Sequence, residues 1–534
     1  MYTENNDHKQ QKLINFKNKY TDKIQKKLEE GFAKIFYEDI FCNIDESKFA
    51  DLYSDKASRP NKPINILVGL EVIKQYFGFT DSQLIRQFHF NIEIISALGL
   101  QNIGEEHISE RTLYNFRSRV ARYEMETGVN LIDEVFKDLA FKHLDKYDID
   151  ASTQRMDSSL CSSNMKKLTR LQLCIKTTQN FLKQLPEKHS STISDNIIQL
   201  STEEGVGNYL NNLEDKSYDE KLADIGIKIQ KLLDMFEEEE EINSTEEYEL
   251  LLRVYHEQFH QSDDDDNNVP QPKQGKDISS DSLQNPSDVK GTYRKKSGEE
   301  QIGYKTNISE TCSAGNDLDI LVDAGIYPNN ESDKSIIIQD IDDIQAATGV
   351  NDLHVDGGFS GEEVEEKCQD TGDGIDLHIS GIKGKLSEVR ELLSKYFEFD
   401  KSDELTCCIE GCEPINIIEN DNCGYKIYKF PKSKCKNCSH NCPVEEQKKY
   451  FSILIYNRTV ELIEREDNLE ENTKQRAPVE SVFYVLKHKF GLDKIPIRGL
   501  FKMSYWIKLK CIAFNFGRIM RYRFQKRKKK AKIA

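Results

Sequence analysis

Apolar residues recur at three- and four-residue intervals through LINFKNKYTDKIQKKLEEGFAKIFYEDI and INILVGLEVIKQYFGF, so residues 1–147 are expected to form an all-α unit. Thr80 with Gln83 fits a capping box ahead of LIRQFHF, and Ser109 is placed to cap ERTLYNFRSRVARY. The period then changes. TQRMDSSLCSS, inside 148–164, reads as a lone strand, and 165–258 returns to helical spacing in LTRLQLCIKTTQNFLKQL, IGIKIQKLLDMF and YELLLRVYHEQF. Residues 259–297 are polar, acidic and Pro-containing, and read as a flexible linker. Strand signals resume over 298–400 in QIGYKTNISETC, LDILVDAGIY, DLHVDGGF and IDLHISGI, with helical IIIQDIDDIQAATG between the second and third. A cysteine-rich segment (401–446), further helices (447–517) and a basic tail (518–534) complete the division. The expected fold is a multidomain α+β or α/β chain, its mixed-sheet core interrupted by a helical insertion and preceded by an all-α domain.

Length and composition narrow the function classes. At 534 residues, roughly three domains of about 150 residues are expected. Mean hydropathy is -0.66, and no run approaches the roughly 18 apolar residues of a membrane span, so a soluble protein without membrane partners is expected. The polar, mixed-charge start MYTENNDHKQQKLINF lacks the apolar segment of a signal peptide, which points to the cytoplasm. Thirteen cysteines in that setting suit reduced thiols or metal ligands rather than disulfides.

The net charge of -18 argues against nucleic acid on average, yet charge sorts by segment. Acid gathers in Glu237–Glu241 and Asp263–Asp266, whereas Arg518–Lys532 carries nine basic residues, Arg527 and Lys528 among them, and no acid. Two readings of that tail stand side by side, a solvated terminus and a phosphate-binding arm. Likewise the two capped helices suggest a helix-turn-helix, in which Arg111, Tyr114, Asn115, Arg117 and Arg119 would meet DNA, or an ordinary packed helix with a charged outer face.

Three acids stand where a site would use them. Asp157 lies in the first strand-like run, Asp356 ends LHVD before Gly357 and Gly358, and Glu480 opens a helix after Pro478. Converging carboxylates repel unless cations join them, and Mg²⁺ is the hard, oxygen-seeking choice. Asp319 and Asp323 are nearby competitors. Arg476 precedes the Glu480 helix, and Lys487 lies two turns beyond Glu480 on nearly the same face. A surface salt-bridge ladder would read the same way. Between the second and third acids, Cys408, Cys435, Cys438 and Cys442 suit one tetrahedral Zn²⁺, with Cys407, Cys412, Cys423 and His440 as substitutes. Scattered buried thiols are the competing reading.

Asp157 in QRMDSSLCSSN, Asp356 in HVDGGFS and Glu480 in an Arg-x3-Glu-x6-Lys pattern together resemble the DDE transposases of bacterial insertion sequences. KPINILVGLEVIKQYFGFTDSQLIRQF, ISERTLYNFRSRV, YRKKSGEEQIGYKTNISE and IRGLFKMSYWIKLKCIAFNFGRIMRY are similar to the insertion-sequence family numbered eleven-eighty-two, which spreads the likeness over most of the chain. One departure is Thr473, where related groups place a Tyr three residues before the Arg.

The resemblance implies a ribonuclease-H-like core and a cysteine-containing insertion. It further implies phosphoryl transfer with two Mg²⁺ or Mn²⁺ ions, roughly 3.5–4 Å apart in such sites, held by Asp157, Asp356 and Glu480. Arg476 and Lys487 would contact phosphates. The partner would be double-stranded DNA, both terminal inverted repeats and target, with a homodimer on paired ends and a place at the nucleoid. A catalytically silent DNA-binding derivative is the alternative, and a nuclease on the same fold a third reading.

Overall fold

The computed structural model describes residues 1–534 apart from 11, 13–14, 55, 57–58, 190–191, 215, 261–269, 297, 381–392, 394, 401–403, 421–424, 441, 457–468 and 534. Seven helices open the chain: α1 (Asp22–Glu30), α2 (Phe32–Asp39), α3 (Ile64–Phe77), α4 (Asp81–Phe90), α5 (Ile92–Ala97), α6 (Glu110–Thr127) and α7 (Leu131–Tyr147). Thr80 and Ser109 each cap their helix by accepting an N–H three residues on, and the Gln83 and Thr112 side chains reciprocate. Gly78, at φ 70°, ends α3 in the left-handed conformation that side chains disfavour. Helices α4 and α6 are separated by α5 and a further loop, so they are not joined by the short turn of a helix-turn-helix.

Strand β1 (Thr153–Cys161) is followed by a helical insertion: α8 (Arg170–Gln184), α9 (Asp195–Ile198), α10 (Glu203–Asn212), α11 (Tyr218–Phe236), α12 (Glu240–Asn243) and α13 (Glu246–Gln258). These bury their apolar stripes against one another in a core of their own, centred on Phe181, Ile229 and Leu251. A two-stranded ribbon, β2 (Phe259–His260) with β3 (Gln271–Pro272), leads back toward the sheet. The segment expected to be a linker is therefore structured in part: β4 (Thr292–Lys296) pairs with the long strand β5 (Glu299–Thr311). Asp263–Asp266 lie outside the described residues.

The main sheet is completed by β6 (Leu321–Pro328), β7 (Asp352–Asp356) and β8 (Asp376–Ser380), with α14 (Asp333–Thr348) and α15 (Glu362–Asp370) between its later strands. β5 lies antiparallel to β1 and β6, whereas β7 runs parallel to both β1 and β8. Leaving β4 aside, the order across the sheet is β6-β5-β1-β7-β8. One face packs on α14 and α15 through Met156, Ile337, Val355 and Ile379.

Beyond the sheet, β9 (Phe397–Phe399) pairs with β10 (Leu405–Cys408). A second small sheet joins β11 (Asn416–Asn420), β12 (Tyr425–Pro431), β13 (Glu445–Glu446) and β14 (Tyr450–Tyr456), with one helical turn, α16 (Lys432–Cys435), between. This cysteine-rich unit is broader than 401–446, since β9 and β14 share its apolar cluster. Among the described residues three helices follow: α17 (Leu469–Arg476), α18 (Pro478–His488) and α19 (Leu500–Ile533).

α19 runs unbroken through residue 518, where a separate basic tail was expected. It packs against α3, α7 and β6, so helices, sheet and α19 share one core containing Phe36, Leu70, Ile308, Leu321, Leu509 and Phe516. Residues of the first 147 positions thus share one apolar cluster with the sheet and α19. Among the described residues, no helix is long and apolar enough to cross a membrane.

Candidate active site

Parallel pairing of β1 with β7 aligns Arg155 with His354, and two residues further along stand Asp157 and Asp356. Alternation along β1 sends Met156 and Ser158 toward α14 and leaves Asp157 on the opposite face, where α17 and α18 approach. There Arg476, the last residue of α17, donates from Nη1 to Asp157 Oδ2 at 3.2 Å and from Nη2 to Glu480 Oε1 at 2.9 Å. Only Ala477 separates α17 from α18, and Pro478 at the first helical position places Glu480 in the first turn, where the helix dipole favours a negative charge. One guanidinium therefore ties the strand acid to the helix acid.

Burial raises the Asp157 carboxyl to about 6; the Ser158 N–H pulls it down, Asp356 pushes it up and Arg476 pulls it down. Asp356 Oδ1 accepts the Gly358 N–H at 2.6 Å, which turns the carboxylate back over its own glycine turn. Lys487 is half-buried near Cys161, and among the described residues no ion pair engages its ammonium. Among the described residues no three acidic, His or Cys side chains surround one metal-sized point. Asp157 is thus brought beside Asp356 and, among the described residues, is linked to Glu480 through Arg476.

The competing acids have other neighbours: Asp319 accepts from the Thr311 hydroxyl at 3.3 Å, and Asp323 is buried near Lys508. Sequence reading missed Asp333, the first residue of α14, which accepts from the Ser158 hydroxyl at 2.6 Å and from buried Lys305 at 3.0 Å. Its only sequence signal was the Ser332 cap ahead of IIIQDIDDIQAATG.

Cys408, Cys435, Cys438 and Cys442 line one cavity of about 350 Å³, together with Cys412 and His440. Cys412 was only a substitute in the sequence reading. Cys407 faces the other way, its Sγ 3.5 Å from Glu398 Oε2, and Cys423 lies outside the described residues. Burial pushes the Cys435 thiol up to about 11, helped by Cys412, Cys408, Cys438 and Cys442. His440 meets Glu410 at 2.7 Å.

On α6, Arg111, Tyr114, Asn115 and Arg119 are exposed. Arg117 points inward instead: Nε donates to Glu71 at 2.8 Å, Nη2 to Asp81 at 2.6 Å, and the guanidinium lies 5.3 Å from the Trp506 ring centroid. It is a core ion pair, because the inward stripe of α6 passes through it. Asn115, Arg119 and Arg122 line a cleft of about 750 Å³ whose other wall includes Arg59 and Lys62; Arg59 and Arg122 were not foreseen. In the former tail, Arg518 pairs with Glu310, Arg523 with Glu38 and Asp39, and Arg527 donates to the Glu30 carbonyl, while Lys528 is exposed. Arg527 therefore serves the end of α1.

The model of the family described as "Transposase DDE domain" matches residues 407–520, which include the cysteines, Arg476, Glu480 and Lys487 but neither Asp157 nor Asp356. "Transposase domain (DUF772)" matches residues 20–119, that is, α1 to the first half of α6. No curated protein and no solved structure matches the chain. Two separate transposase matches, at the helical layer and at the segment bearing Glu480, support a DDE-type transposase of an insertion element.

Proposed function

We propose that the chain binds the ends of its element and catalyses DNA strand cleavage and strand transfer, with Asp157, Asp356 and Glu480 as the catalytic acids. The observation that carries this is the parallel β1–β7 pairing, which stands two acids side by side under the helix bearing the third. The strand order β6-β5-β1-β7-β8, antiparallel then parallel about β1, supports the reading of a ribonuclease-H-like core.

The donor set fits hard divalent ions. Three carboxylates offer oxygen ligands, and burial together with Asp356 destabilises the charge of Asp157, an imbalance that cations relieve. A bound Mg²⁺ or Mn²⁺ would make an attacking oxygen a better nucleophile and stabilise the charge developing on the leaving one. The remaining work belongs to the chain. Asp157, within β1, and Asp356, at the end of β7, hold their oxygens on adjacent strands, and Glu480, the most exposed of the three, swings in from α18. Arg476, once released from that bridge, and Lys487 hold the scissile and flanking phosphates by charge-assisted hydrogen bonds. Asn115 and Arg119 with the rest of the α6 cleft, and Lys528, hold the flanking duplex.

The cysteine cavity supports a structural Zn²⁺ on Cys408, Cys435, Cys438 and Cys442. Five thiols facing one small space suit a soft tetrahedral ion that takes them as thiolates.

Asp356→Asn is the direct test. With end-containing DNA and Mn²⁺, the variant should lose strand cleavage while retaining DNA binding in a gel-shift assay. Cleavage at the parent's rate would remove Asp356 from the site.

A further inference from the structure

We propose that Asp333 is a positioning residue of the catalytic centre, a fourth carboxylate that braces the turn carrying Asp356 and the strand carrying Asp157 and thereby sets their affinity for a divalent ion. This rests on the assignment of Asp157 and Asp356 as the ion-holding pair.

The two oxygens of Asp333 have different duties. Oδ1 is fixed from two strands: Ser158 on β1 donates to it at 2.6 Å, and Lys305 on β5 donates at 3.0 Å. Ser158 is the next residue after Asp157, so the hydroxyl bond pins the backbone that orients the first acid. Lys305 is 1% exposed and also donates to the Glu331 carbonyl, which holds its ammonium where Asp333 needs it. Oδ2 faces the turn after β7. A methyl placed on Gly358 would stand 3.0 Å from Asp333 Oδ2 and 2.8 Å from Asp356 Oδ1, so the two acids crowd the same small space above a residue without a side chain.

A buried ion pair is weak evidence for stability alone, because desolvation offsets much of the attraction. Its placement against two other acids gives it another use. Lys305 and Ser158 both engage Oδ1 of Asp333, which leaves Oδ2 on the side of the other two acids. Its charge also bears on Asp157 from the far side of β1. Asp333 thus keeps its place beside Asp157 and Asp356 without depending on the cation for its own position.

The experiment reads ion binding, not turnover. Mn²⁺ affinity of the full-length protein, without DNA, is measured by water-proton relaxation for the parent, Asp333→Asn, Ser158→Ala and Asp356→Asn; a hard ion leaves the thiol cluster largely unused. Asp333→Asn should weaken Mn²⁺ binding about tenfold to a hundredfold, as loss of a partner behind a ligand does, and should also lower the melting temperature, because it leaves buried Lys305 without its carboxylate. Ser158→Ala, which leaves the Lys305 pair intact, should shift affinity in the same direction and serves if Asp333→Asn fails to fold. Parent-like affinity in a folded Asp333 or Ser158 variant, while Asp356→Asn weakens binding, overturns the positioning role and leaves the active site standing. Parent-like affinity in Asp356→Asn overturns both.

Discussion

Arg117 and Arg119 stand two residues apart on α6 and have opposite surroundings. Arg117 lies between Glu71 and Asp81 beneath Trp506, and Arg119 stacks at 5.0 Å on the Tyr53 ring in an open cleft. Arg117→Ala would leave buried Glu71 without its partner and should cost about 3–5 kcal/mol, seen as a lowered midpoint in urea unfolding. Arg119→Ala should change stability by less than about 0.5 kcal/mol, weaken DNA binding across sequences and reduce the slope of log affinity against log salt by about 1. A parent-like salt slope would take Arg119 off the DNA. The difference between the two was legible in part. Leu113, Arg117, Val120 and Glu124 fall at spacings of four, three and four, so Arg117 sits on the apolar stripe, whereas Arg119 aligns with Asn115 and Arg122. Residue type alone suggests DNA for both, and the buried acids that receive Arg117 lie on other helices, 46 and 36 positions away. Glu480 was the most legible acid because Pro478 marks its helix start; Asp333 was not, since what distinguishes it is Ser158 and Lys305, which only the sheet brings near.

At the scale of elements, local signals served well where a helix or strand carries its own boundary. The capping residues of α4 and α6, the strands around Asp356 and the helical insertion were all readable from period and punctuation. β4 and α19 were not. YRKK has the composition of a loop and becomes a strand because β5 offers it an edge, while the basic stretch after 518 stays helical because Arg518 and Arg523 find acids on β5 and α2. Where α6, α7 and α19 meet, Glu124 accepts from the Asn130 amide at 2.9 Å, and Asn130 also donates to Ser504. Burial raises the Glu124 carboxyl to about 7 against the pull of Asn130, with Asp133 pushing it further up and Lys508 drawing it down. A raised carboxyl keeps its proton in the folded state after the unfolded chain has lost it, so stability should fall as pH rises from the ordinary glutamate range through about 7. Glu124→Gln should flatten that decline and stabilise the protein at pH 8 by on the order of 2 kcal/mol, with little effect at pH 4. Thermal unfolding of both proteins across pH checks this; parallel curves would show that Glu124 titrates normally.

For the whole molecule, the contact between the helical layer and the sheet was the least legible feature. Periodicity shows that α3 is apolar but not what covers it, and the cover turns out to be α19, so the opening helices and the sheet close one core. The insertion and the cysteine-rich unit do keep cores of their own. The latter is small: among the described residues, seven buried apolar side chains besides Cys412 cluster beside the thiol cavity, too few to hold a fold without a staple. Purified protein should therefore carry one Zn²⁺ per chain, and its removal by a chelator should abolish a distinct low-temperature calorimetric transition while the main transition persists. Metal content far below one per chain would reject the zinc reading. The seating of α19 also bears on how the protein is born. Glu38 and Asp39 wait for Arg523, and Tyr76 for Met520, partners 444 to 485 residues downstream. At roughly 5–20 residues per second, translation leaves the apolar surface of α3 uncovered for tens of seconds. Ribosome-bound intermediates thus display a sticky helical surface that chaperones must shield, and a message cut short before α19 yields a chain that cannot shut its own core.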